Sequence, residues 1–238
     1  ITDQLEQLED GQRSAGVMDV RESLNEQQFA TDISKILEYI RSGDTYQINH
    51  TYRITGNTYG SPLALYSRLR DRQPGRFGAY ISYDGSYLLS QSPELFIARE
   101  GDTLKAMPMK GTASALSEVA SALSDDPKNQ AENVMIVDLI RNDLSRVAEP
   151  FSVKVPRLFH LEALPTVWQM TSDVVATTRE GTRLWDVFAA LFPCGSVTGA
   201  PKVQAMQVIR ALEPQVRRDM EQRIKALIAL QDRKSTRL

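Results

Sequence analysis

Apolar positions along this chain change period several times, and each change predicts a change of element. Phe29, Ile33, Ile36, Leu37 and Ile40 recur at helical spacing behind Ser23-Leu24-Asn25-Glu26, a capping-box pattern, and the predicted helix stops at Ser42-Gly43. From Thr45 to Ile54 the pattern switches to β-formers, with Gln47 and Asn49 on one face and Tyr46, Ile48 and His50 on the other. That stretch predicts a strand closing at Gly56-Asn57. A helix from Pro62 to Arg70 carries proline in its first turn. Phe77 to Ser82 and Tyr87 to Ser90 flank Asp84-Gly85, the pattern of a tight hairpin. Beyond Ser92-Pro93-Glu94, Leu95 to Arg99 reads as a strand. Leu104 through Met109 then alternate as a half-buried strand, so Lys110 is expected where the strand stops, with Gly111 letting the backbone turn.

In the second half, Asn129 to Leu144 predicts a helix that is apolar almost all round yet holds Glu132, Asp138, Arg141, Asn142 and Asp143. Helical geometry puts Glu132, Ile136, Leu139 and Asp143 on one face and Asp138, Arg141 and Asn142 on another, which implies two separate polar constellations. Phe151 to Val155 and Thr166 to Val175 return to the β pattern, and Leu184 to Leu191 is a short helix. Gly195-Ser196-Val197-Thr198-Gly199-Ala200-Pro201-Lys202 opens an amphipathic helix through Val203, Met206, Ile209 and Leu212, with Pro201 near its first position. Residues 1–22 read as an acidic linker, 23–214 as one partial domain and 215–238 as an atypical charged tail.

Composition narrows the chemistry. The 238 residues are 42% hydrophobic and 24% charged, which is globular, and a net charge of −2 with scattered lysines and arginines offers no basic field for nucleic acid. No apolar run has the length of a membrane span, and the acidic start lacks the character of a signal peptide, so a cytoplasmic protein is expected. One cysteine excludes an internal disulfide, and two histidines provide no zinc spacing, leaving oxygen ligands for any metal. His50 and His160 read as strand residues and Cys194 as a small packed side chain.

Lys110 is a nucleophile candidate if Met107 and Met109 desolvate it; the alternative is a surface lysine at a strand end. Glu132, buried on an apolar helix, calls for either an oxygen-liganded Mg²⁺ or a salt bridge to arginine. Glu94 sits at the edge of a ribbon. Gly195 to Lys202 misses the Walker spacing. As small residues feeding a helix N-terminus they form either a carboxylate site or a packed turn.

Gly43-Asp44-Thr45-Tyr46-Gln47-Ile48-Asn49, Ser92-Pro93-Glu94, Pro108-Met109-Lys110-Gly111-Thr112, the run from Glu132 to Asp143 and the run from Gly195 to Lys202, in this order and spacing, resemble the chorismate-binding enzymes. The resemblance covers roughly Leu24 to Pro214. It implies an α/β (α+β) fold, part of the anthranilate-synthase-like sandwich in which two mostly antiparallel sheets enclose the active site and helices cover the outside. Within that family the P-x-K-G-T segment carries lysine in the branch that makes 4-amino-4-deoxychorismate and alanine in the anthranilate synthases, and this chain has Lys110. The implied roles are Lys110 as nucleophile at C2 of chorismate, Glu94 as general acid for the departing C4 hydroxyl, and Glu132 as a carboxylate at a Mg²⁺. Gly195, Ser196, Thr198, Gly199, Lys202 and Thr112 would bind the substrate. Ammonia would come from a glutamine amidotransferase partner. Anthranilate synthesis and a non-catalytic chorismate-binding remnant are the alternatives.

The chain also departs from the family pattern. Gln169 stands where many members carry histidine. The family's N-terminal portion is expected before Ile1, and the motifs that follow Leu212-Glu213-Pro214 elsewhere are not found in Gln215 to Leu238. The expectation is therefore a chain without synthase activity of its own and of low stability.

Overall fold

A computed structural model describes residues 14–115, 120–164 and 167–213. The expected charged tail lies outside the described residues. The chain divides into two compact units, one formed by the residues up to Asn25 with Arg53–Leu95, the other by Glu26–Tyr52 with the residues from Phe96 onward. Among the described residues no helix is long and apolar enough to cross a membrane.

The first unit is built of short antiparallel pairs. β1 (Gly16–Glu22) pairs with β3 (Ile54–Tyr59), so part of the stretch expected to be linker is a strand. Ser23 is not the cap of the following helix: its N–H donates to Arg53 O at 2.8 Å and its Oγ accepts from Arg53 N at 2.9 Å, extending the β1–β3 pairing. The predicted strand from Thr45 to Ile54 is accordingly split, and β3 runs through Gly56-Asn57 instead of ending there. Helix α2 (Pro62–Arg72) starts as expected, with Pro62 in the first turn and Ser61 Oγ accepting from Ala64 N. Then β4 (Phe77–Tyr83) and β5 (Ser86–Ser92) form a hairpin across Asp84 (φ 44°) and Gly85 (φ 70°), both left-handed as a type I′ turn requires. Tyr66 and Tyr87 each pack their rings on Tyr80, at 5.6 and 6.0 Å between centroids.

The second unit holds the larger core. Its sheet runs β6 (Leu95–Glu100), β7 (Thr103–Met107), β10 (Val167–Thr177), β8 (Met109–Ser114), with β9 (Lys154–Ala163) on the other edge of β10. β7 and β8 lie end to end along one edge of β10 in a single register from Thr103 to Met109, bridged by Ser172 N donating to Pro108 O at 3.1 Å. The strand expected to stop at Met109 therefore resumes beyond it, and Lys110 lies within β8. β9 starts later than predicted, and Phe151 is a fully exposed turn residue at φ 64°.

Helix α1 (Glu26–Arg41) precedes the sheet, while α3 (Ala120–Ser124) and α4 (Pro127–Ser145) pack against it. Helix α4 buries Ile136, Val137, Ile140 and Leu144 on Leu104, Ala106, Val174 and Ala176, with Val187, Ala190 and Leu191 of α5 (Leu184–Leu191) closing the cluster. Each fully buried aliphatic side chain contributes roughly 1.5–3 kcal/mol, and this cluster seats α4 on the sheet. A smaller cluster joins Leu123, Ala113 and Met170. A 3₁₀ turn (Gly195–Val197), β11 (Gly199–Ala200) and α6 (Lys202–Leu212) complete the unit, with β11 paired to the two-residue β2 (Gln47–Ile48).

Candidate functional site

Helix α4 organises the candidate site. Asp126 caps it by accepting from Lys128 N at 3.3 Å and Asn129 N at 3.2 Å, and Pro127 occupies a first-turn position where a missing N–H costs nothing. Its buried face meets the strand carrying Lys110, and the adjoining face meets the Gly195–Lys202 segment.

Lys110 lies in a register break. Thr171 of β10 faces Met109, yet Gln169 faces Thr112, so Lys110 and Gly111 together oppose Met170. Such a bulge re-aims a side chain, and Gly111 absorbs the distortion at φ 96° while packing against Leu123 and Asn129. The half-buried Lys110 thus leaves the regular alternation of the strand. Thr112 is exposed and donates its hydroxyl to Gln169 Oε1 at 3.1 Å, which pairs it with the residue that stands in for the family histidine.

The Gly195–Lys202 segment is cradled by the Gly43–Asn49 segment, which is remote in sequence. Tyr46 N donates to Ala200 O at 2.7 Å and Asn49 N to Thr198 O at 2.8 Å. The Asn49 side chain donates to Ser196 O at 2.9 Å, and buried Thr45 Oγ1 donates to Ala200 O at 2.8 Å. Thr198 Oγ1 turns inward to Cys194 O at 2.9 Å, and Cys194 Sγ lies 3.1 Å from Ser196 Oγ. Gly195 lies against Leu139 of α4, where any Cβ would collide with that side chain. With both hydroxyls turned into the loop, what it offers a ligand is backbone: the first N–H groups of the 3₁₀ turn have no acceptor within the turn itself.

Lys202 corrects the sequence reading. Its Nζ lies 2.6 Å from Asp143 Oδ2 and donates to Leu191 O at 3.2 Å, so this lysine ties α6 to α4 and does not reach outward. Burial pushes the Asp143 carboxyl above its ordinary range, and the hydrogen bond and charge of Lys202 oppose that push without cancelling it. Glu132 is corrected too. Its side chain is 41% exposed, 4.0 Å from Lys128 one turn earlier, so neither a buried metal nor a buried arginine is required to compensate it. Asp138 and Arg141 form the second constellation as an exposed pair at 2.7 Å.

Glu94 belongs to the first unit. Its half-buried position follows a Ser92 turn in which Ser92 Oγ donates to Glu94 O at 3.0 Å and accepts from Glu94 N at 3.3 Å. An open groove of about 760 Å³ runs along the outer side of α4, past Tyr46, Gln130, Val134, Asp138, Phe159 and Pro201. None of the expected site residues lines it.

His50 is not the strand residue predicted. It sits beyond β2 with Nδ1 3.1 Å from Glu213 Oε1 and Nε2 3.6 Å from Asp32 Oδ2, all three side chains at least nine-tenths buried. Glu213 also accepts from Thr51 N at 2.6 Å and Thr51 Oγ1 at 2.9 Å. This clamp joins α1, the end of α6 and the segment that cradles the loop. Sequence reasoning also missed Asn133 and Ser172, both fully buried and joined at 2.6 Å between Asn133 Oδ1 and Ser172 Oγ. The available signal was an amide on the apolar face of α4, beside Glu132.

The fold and the order of these segments agree with the comparisons. Residues 2–218 match the family described as chorismate binding enzyme. The chain belongs to that family. Among its chorismate-binding relatives, aminodeoxychorismate synthase component 1 of Klebsiella aerogenes is 41% identical over 204 residues, 83% of this chain and 45% of that protein. Anthranilate synthase component 1 of Streptomyces coelicolor is 36% identical over 202 residues, 82% of this chain and 40% of that protein. The crystal structure of anthranilate synthase component I from Streptococcus pneumoniae superposes with a TM-score of 0.76 at 28% identity, covering 83% of this chain and 45% of that one. The chain thus spans less than half the length of each of these three relatives.

Proposed function

We propose that this chain carries the amination site of an aminodeoxychorismate synthase component I, which converts chorismate and ammonia into 4-amino-4-deoxychorismate and water. The observation that carries the reading is Lys110 at the β8 bulge, a lysine taken out of strand alternation and half-buried beside apolar neighbours. The 41% identical Klebsiella relative bears that synthase's name, which supports the same branch. In the proposed reaction the neutral Lys110 amine attacks C2 of chorismate. Both conjugated ring double bonds shift, the C4 hydroxyl leaves as water with a proton from Glu94, and the lysine is bound as a secondary amine. Ammonia then adds at C4 and the C2–N bond breaks, restoring Lys110. The backbone N–H groups of Gly195 and Ser196 receive a substrate carboxylate in this reading, since those of Val197 and Thr198 donate within the loop to Cys194 O and Gly195 O.

Glu132 fits a Mg²⁺ in a limited sense. Mg²⁺ is often held by one or two carboxylates with water and substrate oxygens, and Glu132 presents one accessible carboxylate. Bound there, the metal would neutralise a carboxylate of chorismate. Ammonia is supplied by a glutamine amidotransferase partner, a reading supported by the "component 1" in the relatives' names.

The covalent step is testable apart from turnover. With the chain extended to the length of its relatives, incubation with chorismate and Mg²⁺ without ammonia, followed by proteolysis and peptide mass spectrometry, should find chorismate less one water on Lys110, discharged to 4-amino-4-deoxychorismate when ammonium is added. Fluorescent anthranilate as the product, or amination persisting in Lys110→Ala, would overturn the reading.

A further inference from the structure

Two register breaks fall two residues apart on opposite edges of β10, and a further one on the β9 edge lies between Asp173 and Val175. Opposite Met170, the β8 edge carries the extra residue at Lys110-Gly111; opposite Ser172, β9 carries one between Arg157 and His160, with Phe159 left-handed at φ 55°. Each bulge releases backbone groups that the ladder no longer satisfies, and in a buried sheet those groups need other partners. One side-chain pair serves both. Ser172 Oγ accepts the N–H of Phe159 at 3.2 Å and donates to Asn133 Oδ1 at 2.6 Å. Asn133 Nδ2 donates to Lys110 O at 3.4 Å and Met170 O at 3.5 Å, long bonds directed at the two carbonyls beside the break. The amide orientation is forced, because the opposite flip would turn Oδ1 toward two carbonyl oxygens.

We infer that Asn133 and Ser172 form a positioning pair that holds the two bulges open and thereby sets the direction of Lys110. Neither residue touches the reacting atoms. They act through the backbone of Lys110, which they tie to α4, the helix that also carries Glu132. Without the bulge the register of Thr103 to Met109 would continue through Lys110 and reverse the faces of Thr112 to Ser114, since a one-residue shift reverses every side chain beyond it. This inference rests on the proposed role of Lys110 for its catalytic meaning, while the positioning itself does not depend on that role.

The test compares the whole chain with Ser172→Ala, which removes one oxygen, Ser172→Thr, which keeps the hydroxyl, and Asn133→Ala. Trace acetylation by acetic anhydride across a pH series, read by peptide mass spectrometry, reports Lys110 against Lys105 and exposed Lys154 in the same molecule. In Ser172→Ala and Asn133→Ala the acetylation rate of Lys110 should change at least threefold relative to Lys105 and Lys154, whose rates stay unchanged; Ser172→Thr should restore it. The chorismate adduct on Lys110 should form at least tenfold more slowly in the two alanine variants. An unaltered Lys110 profile in folded Ser172→Ala would overturn the inference, even if Asn133→Ala failed to fold. An altered profile, with no adduct on Lys110 even in the protein extended to the length of its relatives, would uphold the positioning pair and reject the nucleophile.

Discussion

The ion pair between Lys202 and Asp143 separates an internal strut from a substrate-facing cation. Replacing Lys202 with methionine keeps most of the side-chain volume and removes the charge, leaving a carboxylate that is 5% exposed with its nearest cation gone. Breaking one partner of a buried pair typically costs about 3–5 kcal/mol. The low end applies, about 3 kcal/mol at pH 7, because Arg146 still contributes favourable charge and Leu191 O loses only one donor. Asp143→Asn with Lys202→Met removes both charges, and most of the loss should be recovered, to within about 1 kcal/mol of wild type. Burial already holds the Asp143 carboxyl above its ordinary value, so its favourable contribution is complete below the unfolded value and is lost as pH rises through the folded one. Without Lys202 that upward displacement grows, and the variant's deficit should be largest at neutral pH and shrink steadily on acidification. Urea unfolding with linear extrapolation at pH 7, 6, 5 and 4 measures this. A deficit below about 1 kcal/mol at pH 7, or one independent of pH, would refute the strut. If it came with weakened chorismate binding, Lys202 would instead be the substrate contact expected from the sequence.

Phe151→Gly should stabilise the protein by roughly 0.5–1 kcal/mol in the same unfolding assay, because a fully exposed phenylalanine at φ 64° gains nothing from packing and bears left-handed strain that glycine avoids. Burial pushes the Asp173 carboxyl up, but hydrogen bonds and charge from Lys105 and Arg157 more than offset it and hold the group below its ordinary value of 3.8. That stabilisation is present above 3.8 and disappears as pH falls through the folded value, so Asp173→Asn should be less stable than wild type at pH 7, and thermal melts should converge below about pH 4. Added salt should narrow the gap, since Lys105 and Arg157 are partly solvated. His50→Ala should cost about 3 kcal/mol in urea unfolding, since Asp32 and Glu213 would share a buried space without the ring between them. A loss under about 1 kcal/mol would show that the two carboxylates are satisfied without the imidazole, with Thr51 and Gln28 among their partners.

Much of the fold was legible because it is locally encoded. The hairpin at Asp84-Gly85 follows from a turn that needs two left-handed residues, and the helix of Leu184–Leu191 and that from Lys202 onward follow from apolar spacing and proline placement. The family was legible for a related reason: its motifs are contiguous, and their residue types survive whatever the chain does elsewhere. What the sequence could not disclose were relations between distant segments. Whether Glu132 is buried, whether Lys202 faces a ligand or Asp143, and whether His50 sits in a strand or between two carboxylates depend on which helix lies against which loop. Periodicity carries no information about that. The bulge at Lys110 is the clearest case. Leu104 to Met109 alternate as a strand should and Gly111 permits a turn, so ending the strand was the locally consistent reading. Only β10 decides otherwise. A bulge is a mismatch in count between two paired strands, and its released carbonyls are tolerated because Asn133, from a helix packed on the sheet, reaches them.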